Sequence, residues 1–257
     1  MKNLLSSRPS LFSSVATLLI LLCSGIASAE PDNDKQFRFN VSPNGYPPYL
    51  IVDQASPSGI MWDVVSLIVD RMGYTVVPHK IPRKRVDSML SEGFIDGTPR
   101  AREWTKDPEK FLFTDAVVNV EEVIFSREAL NLTYESPKDL ITRTVVTHLG
   151  YIYPMLDPYF ETGDIQRFDV PRDQDMFTFV LHDNHYNIAV ADRLVGQWFL
   201  KNHGHRNEFN ISEANISEFG YRVMVRKGNQ DFVDRFNQEL RQIRENGELN
   251  AILAKYK

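Results

Sequence analysis

Apolar residues along the chain follow two alternating periods. Phe37, Phe39 and Val41 occupy every second position, the period of a half-buried strand, and Ser42-Pro43-Asn44-Gly45 follows as a turn. Within 62–72, Val64, Leu67, Ile68 and Met72 fall at helical spacing, and Gly73 supplies a C-terminal stop. Tyr74 to Val77 reads as a second strand. A short helix carrying Val86, Met89 and Leu90 ends at Gly93, and Phe94-Ile95-Asp96 reads as a third strand. Strand, helix, strand, helix, strand in that order predicts parallel, right-handed crossovers in an α/β layer.

The alternation begins again near Leu140. Thr144 to Thr147, Gln166 to Val170 and Asn187 to Ala191 have strand character; Ile152 to Phe160, Asp173 to Leu181 and Leu194 to Leu200 have helical character. Two such units in about 190 residues predict two small lobes. Two β-rich segments, Glu121 to Ser126 and Gly220 to Arg226, are placed to cross between them. The tail is helical: Phe232, Phe236, Leu240 and Ile243 form a stripe, Gly247 breaks it, and Leu249, Ile252, Leu253 and Tyr256 continue. The predicted fold class is α/β, with two lobes, a two-strand hinge and a cleft between the lobes, where α/β proteins place ligands outside the carboxyl ends of strands.

The first 29 residues do not fit this scheme. Lys2 and Arg8 make a basic start, Leu11 to Leu22 is mostly apolar, and Ala27-Ser28-Ala29 is a small-residue cleavage site, the three-part pattern of a secretory signal peptide. The apolar run is shorter than the roughly 20 residues a membrane span needs. A lipoprotein signal with Cys23 acylated is the rival; bulky Leu22 before the cysteine favours cleavage after Ala29.

That segment changes what composition means. The whole chain has 257 residues, 29 basic and 34 acidic, for a formal charge of −5. Without Lys2, Arg8 and Cys23 the remaining 228 residues carry −7 and no thiol, a composition safe in an oxidising compartment. An acidic balance argues against a general nucleic-acid binder. No Gly-rich phosphate loop, Gly-x-Ser-x-Gly elbow or His-Glu-x-x-His pair occurs. His182, Asp183 and His185 lie close in sequence, which is weak grounds for a metal site.

Six segments in order give the chain a family likeness: Tyr46-Pro47-Pro48-Tyr49, Trp62-Asp63-Val64, Gly93-Phe94-Ile95-Asp96-Gly97, Phe111-Leu112-Phe113-Thr114-Asp115, Tyr221 to Asn229, and Asn246-Gly247-Glu248-Leu249 with Lys255-Tyr256. With these the chain, from Phe37 to Tyr256, resembles the extracellular solute-binding proteins of family 3. The resemblance implies a type 2 periplasmic-binding fold: a first lobe of residues 30–122 plus 224–257, and a second of 123–223 including the hinge strands. It further implies a periplasmic monomer, with no cofactor, that passes a small polar solute to an ABC permease or serves a membrane sensor.

The family's ligand positions carry over one by one. Tyr46 and Trp62 match two facing aromatics, able to hold an aliphatic, flat or cationic group. An arginine before the Phe-Ser/Thr-Asp segment grips a ligand carboxylate with two charge-assisted bonds; Arg102 is the preferred match and Arg100 its competitor, with Thr98 adding a hydroxyl and an amide. Gly150 matches a glycine at a helix N-terminus suited to an anion, but Tyr151 stands where the family has Ser or Thr. Asp192 matches the acid that receives an α-ammonium group. Pro43 occupies the position at which relatives selecting basic side chains carry an acid, so ligand identity stays open. The competing class is a dehydratase-like enzyme on the same fold, for which His148, His182, His185, Glu121 and Glu122 are the available acids.

Overall fold

The computed structural model describes residues 35–53 and 55–256. The expected leader and its cleavage site lie outside them. Strand β1 (Lys35–Val41) pairs in parallel with β2 (Tyr74–Lys80), Lys35 opposite Tyr74 and Val41 opposite Lys80. Helix α1 (Ile60–Arg71) is the crossover and α2 (Arg83–Ser91) the next helix, as the apolar spacing predicts. The strand expected at Phe94–Asp96 does not form. Gly93, at a φ of 79°, reverses the chain, Phe94 is exposed, and the Asp96 carboxylate accepts bonds from the backbone N–H and guanidinium of Arg38. Pairing resumes with a bridge between Phe39 and Gly97, and β3 runs from Thr98 to Ala101.

After two short 3-10 turns come β4 (Phe111–Phe113) and the long β5 (Val118–Arg127). The second α/β unit comprises β6 (Thr144–His148), α3 (Asp157–Thr162), β7 (Gln166–Val170), α4 (Asp173–His182), β8 (Ile188–Asp192) and α5 (Arg193–His203). Helix α3 starts five residues later than the apolar pattern of Ile152 to Phe160 predicts. Pro158 is tolerated only in a helix's first turn, so it fixes the start. Strands β9 (Phe209–Ile211) and β10 (Ser217–Arg226) and helices α6 (Gln230–Glu245) and α7 (Glu248–Ala254) complete the chain.

The main sheet has the order β3-β10-β5-β8-β6-β7, with β4 also on β10 and β9 also on β5. Its crossing point is β10, which pairs with β5 from Ser217 to Tyr221 and with β3 from Tyr221 to Met224. One core gathers Phe39, Ile68, Val223 and the buried α6 stripe Val233, Phe236, Leu240 and Ile243. Burying side chains of this size stabilises by about 1.5–3 kcal/mol each. The far half of the sheet is covered on both faces. Ile124 and Val145 face one core, while their neighbours Phe125 and Val146 face another, the two-residue period of a strand buried on both sides. Gly196 on α5 is required for this packing, because a Cβ there would lie 2.0 Å from the Phe125 ring. The tail is tied back to α1: the Tyr256 hydroxyl accepts from Gly59 N at 2.8 Å and donates to Asp63 at 2.9 Å. Among the described residues no helix is long and apolar enough to cross a membrane.

Candidate functional site

A cavity of about 360 Å³ opens where the carboxyl ends of β1, β2, β6 and β7 converge with β3. That volume is at the small end of the roughly 300–1,000 Å³ typical of ligand sites. Its walls come from both halves of the sheet, and each half supplies charge of a different sign.

The basic wall belongs to the first half. Arg100, on β3, is 4 % exposed, and its Nη2 donates to Asp87 Oδ1 at 3.2 Å. Its Nη1 is buried without a hydrogen-bond partner. Burial, and next the neighbouring Arg83 charge, push the Arg100 guanidinium down to about 10, so it remains a cation at neutral pH. Arg83, the first residue of α2, shares the same Asp87 oxygen at 3.5 Å and donates to the Trp104 carbonyl at 2.8 Å. Two guanidinium groups thus face one carboxylate. Thr98 beside them is buried, its hydroxyl accepting from Asn40 Nδ2 at 3.0 Å.

Aromatic rings enclose the space. Tyr46 stacks on Tyr49 at 5.6 Å and meets Tyr151 and Tyr221 edge-on at 6.4 and 6.3 Å. His148 lies on Tyr151 with ring centroids 3.9 Å apart. The second half adds Asp173, the first residue of α4, at the carboxyl end of β7. Burial raises its carboxyl above the usual range, and His148 nearby partly opposes that shift.

Of the eight positions expected to face ligand, Tyr46, Thr98, Arg100 and Tyr151 line this cavity, and Trp62, Arg102, Gly150 and Asp192 do not. Trp62 packs against the core, its ring 6.4 Å from Phe39; at the cavity the ring beside Tyr46 is Tyr151, in edge-on contact with it. Arg102 falls just after β3 ends, in a 3-10 turn that leaves it exposed over the Phe113 ring at 5.6 Å. Between the two candidate arginines the structure therefore puts Arg100 at the cavity wall. Gly150 sits in an exposed turn at a φ of 82°, with no atom within 4 Å of where a Cβ would be.

Asp192 is fully engaged elsewhere. It caps α5 by accepting from Val195 N at 3.0 Å, and its other oxygen accepts from Glu121 N at 3.0 Å and the Tyr49 hydroxyl at 3.2 Å. Burial, which those bonds oppose, pushes its carboxyl up to about 6. Directly opposite Asp192 on the neighbouring strand, Glu122 accepts from Trp104 Nε1 at 3.2 Å and from the Ser217 hydroxyl; burial pushes it up to about 7. Neither carboxylate lines the cavity.

Arg83, Trp104, Asp173 and Tyr221 are cavity residues that sequence reasoning left out. Asp173 carried a usable signal, as the first polar residue of a helix directly after a parallel strand, the place where α/β sites form. Trp104 belongs to none of the six family-like segments, and only the fold brings it to the cavity wall. His182, Asp183 and His185 do not assemble a metal site: among the described residues no three metal-capable side chains cluster.

Residues 39–257 match the family described as bacterial extracellular solute-binding proteins, family 3. The arginine-binding extracellular protein ArtP of Bacillus subtilis (strain 168) is 22 % identical over 247 residues, which cover 93 % of each chain. Among solved structures, a binding component of an ABC transporter from Wolinella succinogenes, complexed with lysine, superimposes with a TM-score of 0.75 at 16 % identity, over 86 % of this chain and 95 % of that one. A histidine kinase sensor domain with similarity to periplasmic binding proteins gives a TM-score of 0.73 at 23 % identity, over 86 % and 95 %. The structural likenesses show the fold, the type 2 arrangement of two α/β lobes about a two-strand hinge.

Proposed function

The chain belongs to the bacterial extracellular solute-binding proteins, family 3, and from that premise we propose that it captures a small polar solute, an amino acid or related carboxylate, in the cavity between its lobes for ABC-type uptake. One observation supports this most: Arg100 presents a buried, unpartnered N–H at the cavity wall. A buried donor left unmade costs about 1–3 kcal/mol, and a ligand carboxylate completes it. Thr98 stands beside it, and the Tyr46 and Tyr151 rings enclose the aliphatic part.

The lobes are residues 30–122 with 224–257, and 123–223, the crossing strands β5 and β10 acting as the hinge. Ligand contacts on both walls favour the closed arrangement over the open one. The protein is exported with cleavage after Ala29 and acts as a monomer on a permease; its relatives include an ABC-transporter component and a kinase sensor domain, so a sensory partner is the alternative recipient. Binding rather than turnover is the role proposed, in line with the arginine-binding relative; among the described residues only His148, of the groups named for the dehydratase class, lines the cavity.

Thermal shift and calorimetry on residues 30–257, over the twenty amino acids and a set of small carboxylates, test this reading. At least one compound should raise the melting temperature in a concentration-dependent way with unit stoichiometry. No stabilisation by any of them overturns it, and turnover of prephenate would favour the dehydratase class instead.

A further inference from the structure

The cavity lining carries two unbalanced charges, one from each half of the structure. On one wall Arg83 and Arg100 share the single carboxylate of Asp87, leaving one net positive charge and one unmade N–H. On the other, Asp173 makes no ion pair with any described residue, and the field of His148 favours its charged form. The Tyr151 and Tyr221 phenols lie between the walls, and each feels both the Arg83 guanidinium and the Asp173 carboxylate. The charge pattern is therefore bipolar, acid-accepting at β3 and α2 and cation-accepting at the start of α4.

The acid that family resemblance assigns to an α-ammonium group is not free to do so here. Asp192 spends its two oxygens on Val195 N, Glu121 N and the Tyr49 hydroxyl, and it lies outside the cavity lining. Pro43, where relatives selecting basic side chains place an acid, does line the cavity but carries no charge. Among the described residues this leaves Asp173 as the one carboxylate at the cavity wall. A round cavity of about 360 Å³ would be about 9 Å across. That span separates the two ends of an extended ligand, and exceeds the spacing of the carboxylate and ammonium on one α-carbon.

We propose that Asp173 is the specificity-determining residue of this site, receiving the distal cationic group of a ligand whose carboxylate is held by Arg100 and Arg83. The ligand class is an amino acid with a carboxylate and an ammonium or guanidinium at opposite ends. This rests on the solute-binding reading above and adds the residue that selects among solutes.

The test uses residues 30–257, wild type and D173N, with D173E as a second variant that keeps the charge. Calorimetry is run with L-arginine and L-lysine, and with L-citrulline and L-norleucine, whose side chains are matched but uncharged. Wild type should bind a charged probe at least tenfold tighter than its neutral match. D173N should lose about 10- to 150-fold for the charged probe, the worth of one hydrogen bond to a charged group, and little for the neutral one. D173E should restore the discrimination in part. Equal discrimination in wild type and D173N overturns the proposal, as does equal affinity of wild type for charged and neutral probes. Binding of other amino acids or carboxylates, with none of the charged probes bound, overturns it while leaving the solute-binding reading intact. If D173N fails to fold, D173E and the wild-type comparison of charged with neutral probes decide alone. If nothing on the wider panel binds either, both fall together.

Discussion

Arg100 should be a residue whose removal strengthens the empty protein and disables the site. Its side chain is 4 % exposed and carries an N–H with no partner, a defect that costs about 1–3 kcal/mol. Against this stands one ion pair, to an Asp87 side chain that is 38 % exposed and therefore worth about 0–1 kcal/mol. Replacement by methionine keeps an unbranched apolar stem of similar reach, removes the unmade bond and relieves the neighbouring Arg83 charge. The balance favours R100M by about 1–2 kcal/mol without ligand, and in a chain of this size each kcal/mol is worth about 2–4 °C of Tm. In the bound state the sign reverses. Losing the cationic partner of a buried carboxylate costs about 2–5 kcal/mol, or roughly 30- to 5,000-fold in Kd. Differential scanning fluorimetry gives the first quantity and calorimetry, with whichever probe stabilises wild type, the second. A variant that melts more than about 5 °C lower while keeping wild-type affinity would refute the assignment of Arg100 to the ligand.

Three further perturbations read other parts of the structure. G196A should destabilise by about 1–3 kcal/mol or more in urea titrations, since the new Cβ would fall 2.0 Å from a fully buried Phe125 ring; an unchanged midpoint would contradict the α5–β5 packing. Y49F removes the hydroxyl bonded to Asp192 across the two parts of the chain, a loss of about 1.5–3 kcal/mol above pH 7, where Asp192 is charged; stability equal to wild type would show that the bond contributes nothing. Glu122 titrates at about 7 when folded against an ordinary 4.5, so the folded protein binds the extra proton and this residue's contribution falls as pH rises from about 4.5 to 7. E122Q, which cannot ionise, should therefore gain on wild type over that interval, and parallel stability–pH curves for the two would rule this out.

Much of the fold is legible along the chain because it depends on local period. Helix α1, strand β7 and the α6 stripe stand close to where apolar spacing puts them, since a face must repeat every 3.6 or 2 residues to be buried at all. The misplaced elements are those where a single residue overrides the pattern: Gly93 turns the chain before Phe94, and Pro158 delays α3. Tyr46 and Thr98 were placed by likeness of motif and Tyr151 as a departure from it, at the position where the family has Ser or Thr; all three line the cavity.

What sequence could not decide is direction. Arg100 and Arg102 are the same residue type two positions apart, and only the end of β3 at Ala101 leaves the first against the cavity and the second in solvent. Asp192 has the expected place in the chain, yet tertiary contacts with Tyr49 and the Glu121 amide take up its oxygens. Arg83, Asp173 and Tyr221 are far apart in sequence and carry no shared motif; they meet because three different strands deliver them to one cleft. Period and composition determine which residues are buried and in which elements. Which polar atoms remain without partners, and so are available to a ligand, is a property of long-range packing alone.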